Sequence, residues 1–184
     1  MRVVHLTAHL GGGVGKALST LSEYLPSRQP DFSRCIVSFE RLEKLQFADQ
    51  IRATGTEVIV CPPRKRLLEL VREADVVQLE FWNHPATFES LHHLRSVPLR
   101  LAVWCHISGI HCPVIPPKLI VASDAFIVTT PCSRTSEAVR RSDKPVLFIS
   151  SRPARLECPA EMFVWVRRYD KFHKDASKLP PLYC

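Results

Sequence analysis

Seven short runs of β-branched or apolar residues recur along the chain, at 3–6, 35–39, 57–61, 76–80, 99–105, 125–129 and 146–149. Helical patterns fill the intervals, for instance Leu67, Leu68, Leu70 and Val71 before Ala74-Asp75, and Phe88, Leu91 and Leu94 after Asn83. Period-2 runs alternating with period-3.6 segments build βαβ units, so the pattern predicts an α/β domain with a mostly parallel sheet flanked by helices. Right-handed crossovers would place every strand's C-terminal end along one edge, where open α/β sheets bind ligands. The candidates on that edge are the glycine-rich turn after the first run, residues 80–84 after the fourth, 106–111 after the fifth and 131–133 after the sixth. Pro116-Pro117, Pro145 and Pro153 punctuate loops.

The balance of 184 residues, 46% hydrophobic and 23% charged, suits one domain with a proper core. No stretch approaches the ~20 apolar residues of a membrane span, and polar His5, Thr7 and His9 behind Val3-Val4 deny the N-terminus a signal-peptide core. The expected location is cytoplasmic. Seven cysteines, an odd number mostly set in strand-like runs, predict reduced and buried thiols. The net charge of +7 is spread, with +3 of it after residue 150, which argues against a nucleic-acid binder. Arg64-Lys65-Arg66 is the one basic cluster. It suits a peripheral contact with anionic lipid or a phosphorylated acceptor, and equally a solvated helix start.

Gly11-Gly12-Gly13-Val14-Gly15-Lys16 lies where the first strand turns into a helix running through Ala17 to Leu25. Glycines admit positive φ and close ligand approach, and a helix start aims N–H groups and a positive dipole end at an anion, so the turn suits a phosphate. One reading is a P-loop ATPase of the partitioning type. A P-loop needs a hydroxyl after its lysine to hold Mg²⁺, and here Ala17 follows Lys16; the first P-loop glycine falls on Leu10; and the fourth strand runs on into Phe81-Trp82 instead of ending in a metal-binding aspartate. A glycine turn that only packs helix on strand is the plain alternative.

Three segments taken together resemble the family 4 glycosyltransferases, the retaining group with the two-domain GT-B fold. They are His9-Leu10-Gly11-Gly12-Gly13-Val14-Gly15-Lys16-Ala17-Leu18, then Asp75-Val76-Val77-Gln78-Leu79-Glu80-Phe81-Trp82-Asn83-His84-Pro85, then Trp104-Cys105-His106-Ile107-Ser108-Gly109 through Pro116-Pro117 to Thr130-Pro131-Cys132-Ser133. The resemblance implies that residues 1–150 are the Rossmann-like N-terminal half, which receives the acceptor, and that a nucleotide-sugar donor is gripped by a second half. It implies that Gly12, Gly13 and Gly15 let the turn reach the donor pyrophosphate and acceptor, with Lys16 adding charge. His106 would be the catalytic residue, reaching the transferred sugar and stabilising charge as the glycosidic bond to phosphate breaks. Asn83 and His84 would line the acceptor side, and no metal or resident cofactor is implied.

Plainer readings exist for the same residues. For His106, without the resemblance, the favoured reading is a histidine bonded to a neighbouring carbonyl. Alternation puts Cys105 and His106 on opposite faces, and Cys105-His106 with His111-Cys112 fits no standard zinc spacing. His92-His93 belong to a solvated helix face, and Trp82 and Trp104 close the core or stack on a sugar.

Residues 151–184 form a basic tail, and its segment 165–179 has no clear apolar period. Codons can be chosen for residues 165–179 that, read one base later, resemble the family's entry into its inter-domain region. The expectation is a frameshifted, poorly ordered tail that replaces the donor half, leaving the chain inactive alone. A separate donor-half chain as partner, or a non-catalytic sugar- or phosphate-binding module, are the other outcomes left open.

Overall fold

The computed structural model describes residues 1–28 and 31–149. Its strands are β1 (Arg2–Thr7), β2 (Ser33–Ser38), β3 (Glu57–Val60), β4 (Val76–Phe81), β5 (Leu101–Cys105), β6 (Ala125–Val128) and β7 (Val146–Phe148). The helices are α1 (Gly12–Arg28), α2 (Gln46–Ala53), α3 (Arg64–Glu73), α4 (Pro85–Leu94), α5 (Pro117–Ala122) and α6 (Glu137–Arg140), with a 3-10 turn at Pro131–Thr135. All seven strands pair in parallel, in the order β3-β2-β1-β4-β5-β6-β7. This is the α/β, Rossmann-like architecture the alternation predicts. The tail expected at 151–184, with Cys158 and Cys184, lies outside the described residues.

Alternation along each strand feeds two helix layers. Val4, Leu6, Val77, Leu79, Phe81, Val103, Cys105 and Phe126 pack against Leu70 and Val71 of α3, Leu91 and Leu94 of α4, and Leu119 and Ile120 of α5. On the other face Val3, Val76, Ala102, Trp104 and Ile127 meet Leu21 and Leu25 of α1. Val14 and Leu18 of α1 join Ala48 and Ile51 of α2 over Ile36. A parallel sheet covered on both faces needs near-continuous apolar strands, and each fully buried Leu, Val or Phe contributes about 1.5–3 kcal/mol. Leu18→Ala, at 0% exposure, would cost about 2–5 kcal/mol.

Two aspartates tie off the lower edge. Asp75 Oδ2 accepts from Arg2 N–H at 2.7 Å just before β4, and Asp124 Oδ2 accepts from Leu101 N–H at 2.8 Å just before β6. Each satisfies the first donor of a neighbouring strand, which would otherwise have no ladder partner.

Three expectations need correction. The glycines are not a loop ahead of a helix starting at Ala17, because α1 begins at Gly12 and the glycines form its first turn. The thiols are not mostly buried: of the five described cysteines, all free, Cys35 and Cys105 lie in strands and are buried, whereas Cys61 just after β3, Cys112 in the β5–α5 connection and Cys132 in the 3-10 turn are exposed. Burial pushes the Cys35 thiol up to about 12 and Cys105 to about 11. Leu99 and Arg100 precede β5 rather than open it. Arg64-Lys65-Arg66 is the first turn of α3, with Arg66 facing Glu69 at 3.5 Å.

Candidate functional site at the strand-order reversal

β1 pairs with β2 on one side and β4 on the other, so the connections leaving their C-terminal ends diverge and open a crevice, the usual ligand position in such sheets. Residues 9–13 follow β1 there, Trp82, Asn83 and His84 follow β4, and His106 follows β5.

At the first turn of α1, Gly11 N–H donates to His9 Nδ1 at 2.9 Å, which assigns the His9 proton to Nε2. Gly12 has φ +55°, and a Cβ on Gly12 or Gly13 would meet nothing within 4 Å; both are exposed. Gly15 differs. It is buried, and a Cβ would stand 2.6 Å from both Leu10 O and Phe47 Cδ2, so its small size lets α1 pass close to the preceding turn and α2. Lys16 is exposed, and its side chain makes no hydrogen bond or ion pair to a described residue.

A ring cluster forms the neighbouring wall. Trp82 lies 4.6 Å from His9 and 4.7 Å from His84, centroid to centroid. His84 caps α4, its Nδ1 accepting from Ala86 N–H at 3.3 Å, while its Nε2 faces Glu40 Oε1 at 3.3 Å. Asn83 is exposed at φ +67°, a left-handed position that Asn tolerates better than most residues. Between the α1 start and residues 40–44 is a cavity of about 330 Å³, lined by His9, Gly11, Gly12, Arg41 and Lys44 among others. A larger one of about 510 Å³, between residues 109–117 and α6, shares no residue with it.

His106 is anchored from beneath. Its Nε2 lies 2.8 Å from Glu80 Oε2, and its ring lies 4.9 Å from Trp104. Glu80, wholly buried in β4, also receives Gln78 Nε2–H at 2.6 Å and His5 Nδ1 at 3.0 Å, both on Oε1. Arg34 Nε donates to His5 Nε2 at 3.1 Å, and Arg34 Nη1 donates to Ser22 Oγ of α1 at 3.2 Å. Burial, then the Arg34 charge, hold the His5 imidazole down to about 4, against the pull of Glu80. Burial would raise the Glu80 carboxyl, but the hydrogen bonds from His106 and His5 outweigh it and bring it down to about 2. Burial lowers Arg34 to about 10, so it keeps its charge at neutral pH. The cluster is therefore an ion pair, Arg34 and Glu80, bridged by a neutral imidazole.

The predicted residues thus fall into two groups. Gly12, with His9, lines the cavity, His84 lies next to it through its contacts with Trp82 and Glu40, and His106 stands on the buried cluster one strand away. Sequence reading missed His5, Arg34 and Gln78 and gave Glu80 no role. The signal was polar His5, Gln78 and Glu80 inside strands whose neighbours are apolar throughout. His9 opens the glycine segment but was given no role, and Glu40, Arg41 and Lys44 carry no motif that would have drawn attention. Among the described residues no group of three or more His, Cys, Asp or Glu is placed to hold a metal ion, and no helix is long and apolar enough to cross a membrane.

No family model and no curated protein matches the chain. Among solved structures it is similar to a glycosyltransferase from Rickettsia africae ESF-5, at 14% identity and a TM-score of 0.58, over 92% of this chain and 49% of that one. The likeness establishes a Rossmann-like α/β fold shared with a glycosyltransferase. The chain spans about half the length of that relative.

Proposed function

We propose that this chain is the acceptor-side half of a glycosyltransferase that moves a sugar from a nucleotide-sugar donor to an acceptor. The observation that carries the reading is His106. It projects from the end of β5 at the ligand-binding edge and is held by a buried carboxylate, on a sheet of the fold found in a glycosyltransferase. The family 4 resemblance supplies the finer parts: a GT-B arrangement, retention of configuration, and no resident metal. Gly12 and Gly13, with open space above them, would meet the donor pyrophosphate or the acceptor, with Gly15 keeping the turn tight and Lys16 adding charge. Asn83 and His84 would line the acceptor side beside Trp82. The donor half would come from further sequence or from a separate chain, so residues 1–149 alone would not transfer sugar. A cytoplasmic setting, with Arg64, Lys65 and Arg66 touching the inner membrane face, completes the proposal.

The ATPase reading has less support. Ala17 leaves Mg²⁺ without its hydroxyl, and the one carboxylate near the end of β4, Glu80, is wholly buried among His5, Gln78 and His106. The reading as a non-catalytic binding module makes the same contacts without transfer. Thermal unfolding with uridine and guanosine diphosphate sugars, or with Mg-ATP, separates the ligand classes. A nucleotide sugar at 100 times its Kd would stabilise the domain by about 2.7 kcal/mol. A rise with Mg-ATP and none with any nucleotide sugar would overturn the proposal.

A further inference from the structure

Glu80 has both oxygens committed. Oε1 takes two donors, from Gln78 and His5, and Oε2 faces His106 Nε2. The arrangement leaves little freedom to the protons. Arg34 has no acceptor capacity, so the nitrogen it meets, His5 Nε2, must be bare and the His5 proton sits on Nδ1, pointing at Glu80. An ionised carboxylate can only accept, so His106 must present N–H at Nε2. His106 Nδ1 makes no hydrogen bond to a described residue, and the side chain is 12% exposed at the ligand-binding edge.

From this geometry we infer that Glu80, oriented by His5 and Arg34, is a positioning residue that fixes His106 as the Nε2–H tautomer and so presents Nδ1 as a hydrogen-bond acceptor to a ligand hydroxyl. A buried carboxylate behind a histidine sets both its tautomer and its orientation. Four side chains from three adjacent strands, β2, β1 and β4, thus prepare one nitrogen beyond β5. The ligand class, a sugar hydroxyl, rests on the glycosyltransferase reading; the tautomer does not.

The test is long-range ¹H–¹⁵N correlation on the whole chain labelled with ¹⁵N-histidine, at pH 8. The expected spectrum shows His5 protonated at Nδ1 and His106 at Nε2 alone. Protonation of His106 at Nδ1, alone or with Nε2, would overturn the inference without any variant. In Glu80→Gln the amide can donate or accept, so His106 should lose its single tautomer while methyl resonances of the core keep their positions; an unchanged His106 tautomer in that folded variant also overturns it. Glu80→Asp, which keeps the charge, should restore the Nε2–H form at least in part. Titration with methyl α-glucopyranoside should then move the His106 Nδ1 resonance in the wild type and not in Glu80→Gln. If the tautomer is as inferred but neither this glycoside nor a nucleotide sugar moves Nδ1, the positioning role stands and the glycosyltransferase reading fails.

Discussion

His5 Nδ1 and Glu80 Oε1 lie 3.0 Å apart with both side chains fully shielded from solvent, although 75 residues separate them in the chain. They meet because β1 and β4 are neighbours in register, Val4 against Val77 and His5 against Gln78, which sets Glu80 one pleat further along the same face. An unpaired carboxylate at that depth would take up a proton instead of staying charged. Glu80 stays ionised because His106, His5 and Gln78 all donate to it.

Acid should therefore destabilise the domain in two stages. The unfolded His5 binds a proton near 6.5 and the folded one only near 4, so below pH 6.5 the unfolded state gains protons that the native state refuses, and stability falls until about pH 4. The Glu80 carboxylate adds stability that is complete above its ordinary 4.5 and is lost as the pH drops towards 2. The His5 share is on the order of 3 kcal/mol. Urea denaturation between pH 7 and pH 4 measures it. His5→Asn, which keeps a donor but cannot titrate, should flatten that slope; equal slopes in both proteins would show that His5 already carries its proton.

The glycines of the α1 start should separate into two kinds. Gly15→Ala places a methyl 2.6 Å from Leu10 O and Phe47 Cδ2 and should cost about 1–3 kcal/mol, because backbone cannot step aside. Gly13→Ala has open space in a helical turn and should stabilise by about 0.4–1 kcal/mol. If the proposed function holds, Gly13→Ala gains that stability while weakening nucleotide-sugar binding. Thermal unfolding and a binding titration on the two variants decide the matter.

How much of this was legible beforehand depends on what each residue answers to. All seven strands were readable because a doubly covered parallel sheet demands apolar runs such as Val76-Val77, and only their ends shifted by a residue or two. The start of α1 was misread because glycine's poor helix propensity points to a loop, whereas Gly15 N–H closes a helical bond to Gly11 O at 3.1 Å. His106 was singled out as a candidate from its motif, but the contact that orients it was not read. Arg34, His5 and Glu80 lie on three strands whose adjacency follows from the sheet order, and nothing local in the sequence announces that order.

Thiol chemistry should follow the burial found here. Cys61, Cys112 and Cys132 should react with a maleimide in the native protein, each mapped by peptide mass spectrometry. Cys35 and Cys105, buried and with thiols held well above their ordinary range, should react only after unfolding. Labelling of Cys35 on the same timescale as Cys61 would mean that β2 opens far more readily than its place in the sheet allows.

The Arg34–His5–Glu80 cluster should prove costly to break and cheap to replace. Glu80→Leu alone leaves the buried Arg34 guanidinium without its counter-charge and strands the N–H donors of His5, Gln78 and His106, a loss of about 3–5 kcal/mol. Adding His5→Leu and Arg34→Met removes the buried charge and the His5 donor, leaving only those of Gln78 and His106, and should recover a large part of that loss, because desolvating the pair consumes most of its Coulomb energy. The triple variant should nonetheless lose the His106 tautomer and any ligand affinity that depends on it. Denaturant unfolding of the single and triple variants tests the first claim and histidine ¹⁵N spectra the second. A triple variant as unstable as Glu80→Leu would show that the cluster holds the fold together in its own right, and its placement under His106 would then need no functional reason.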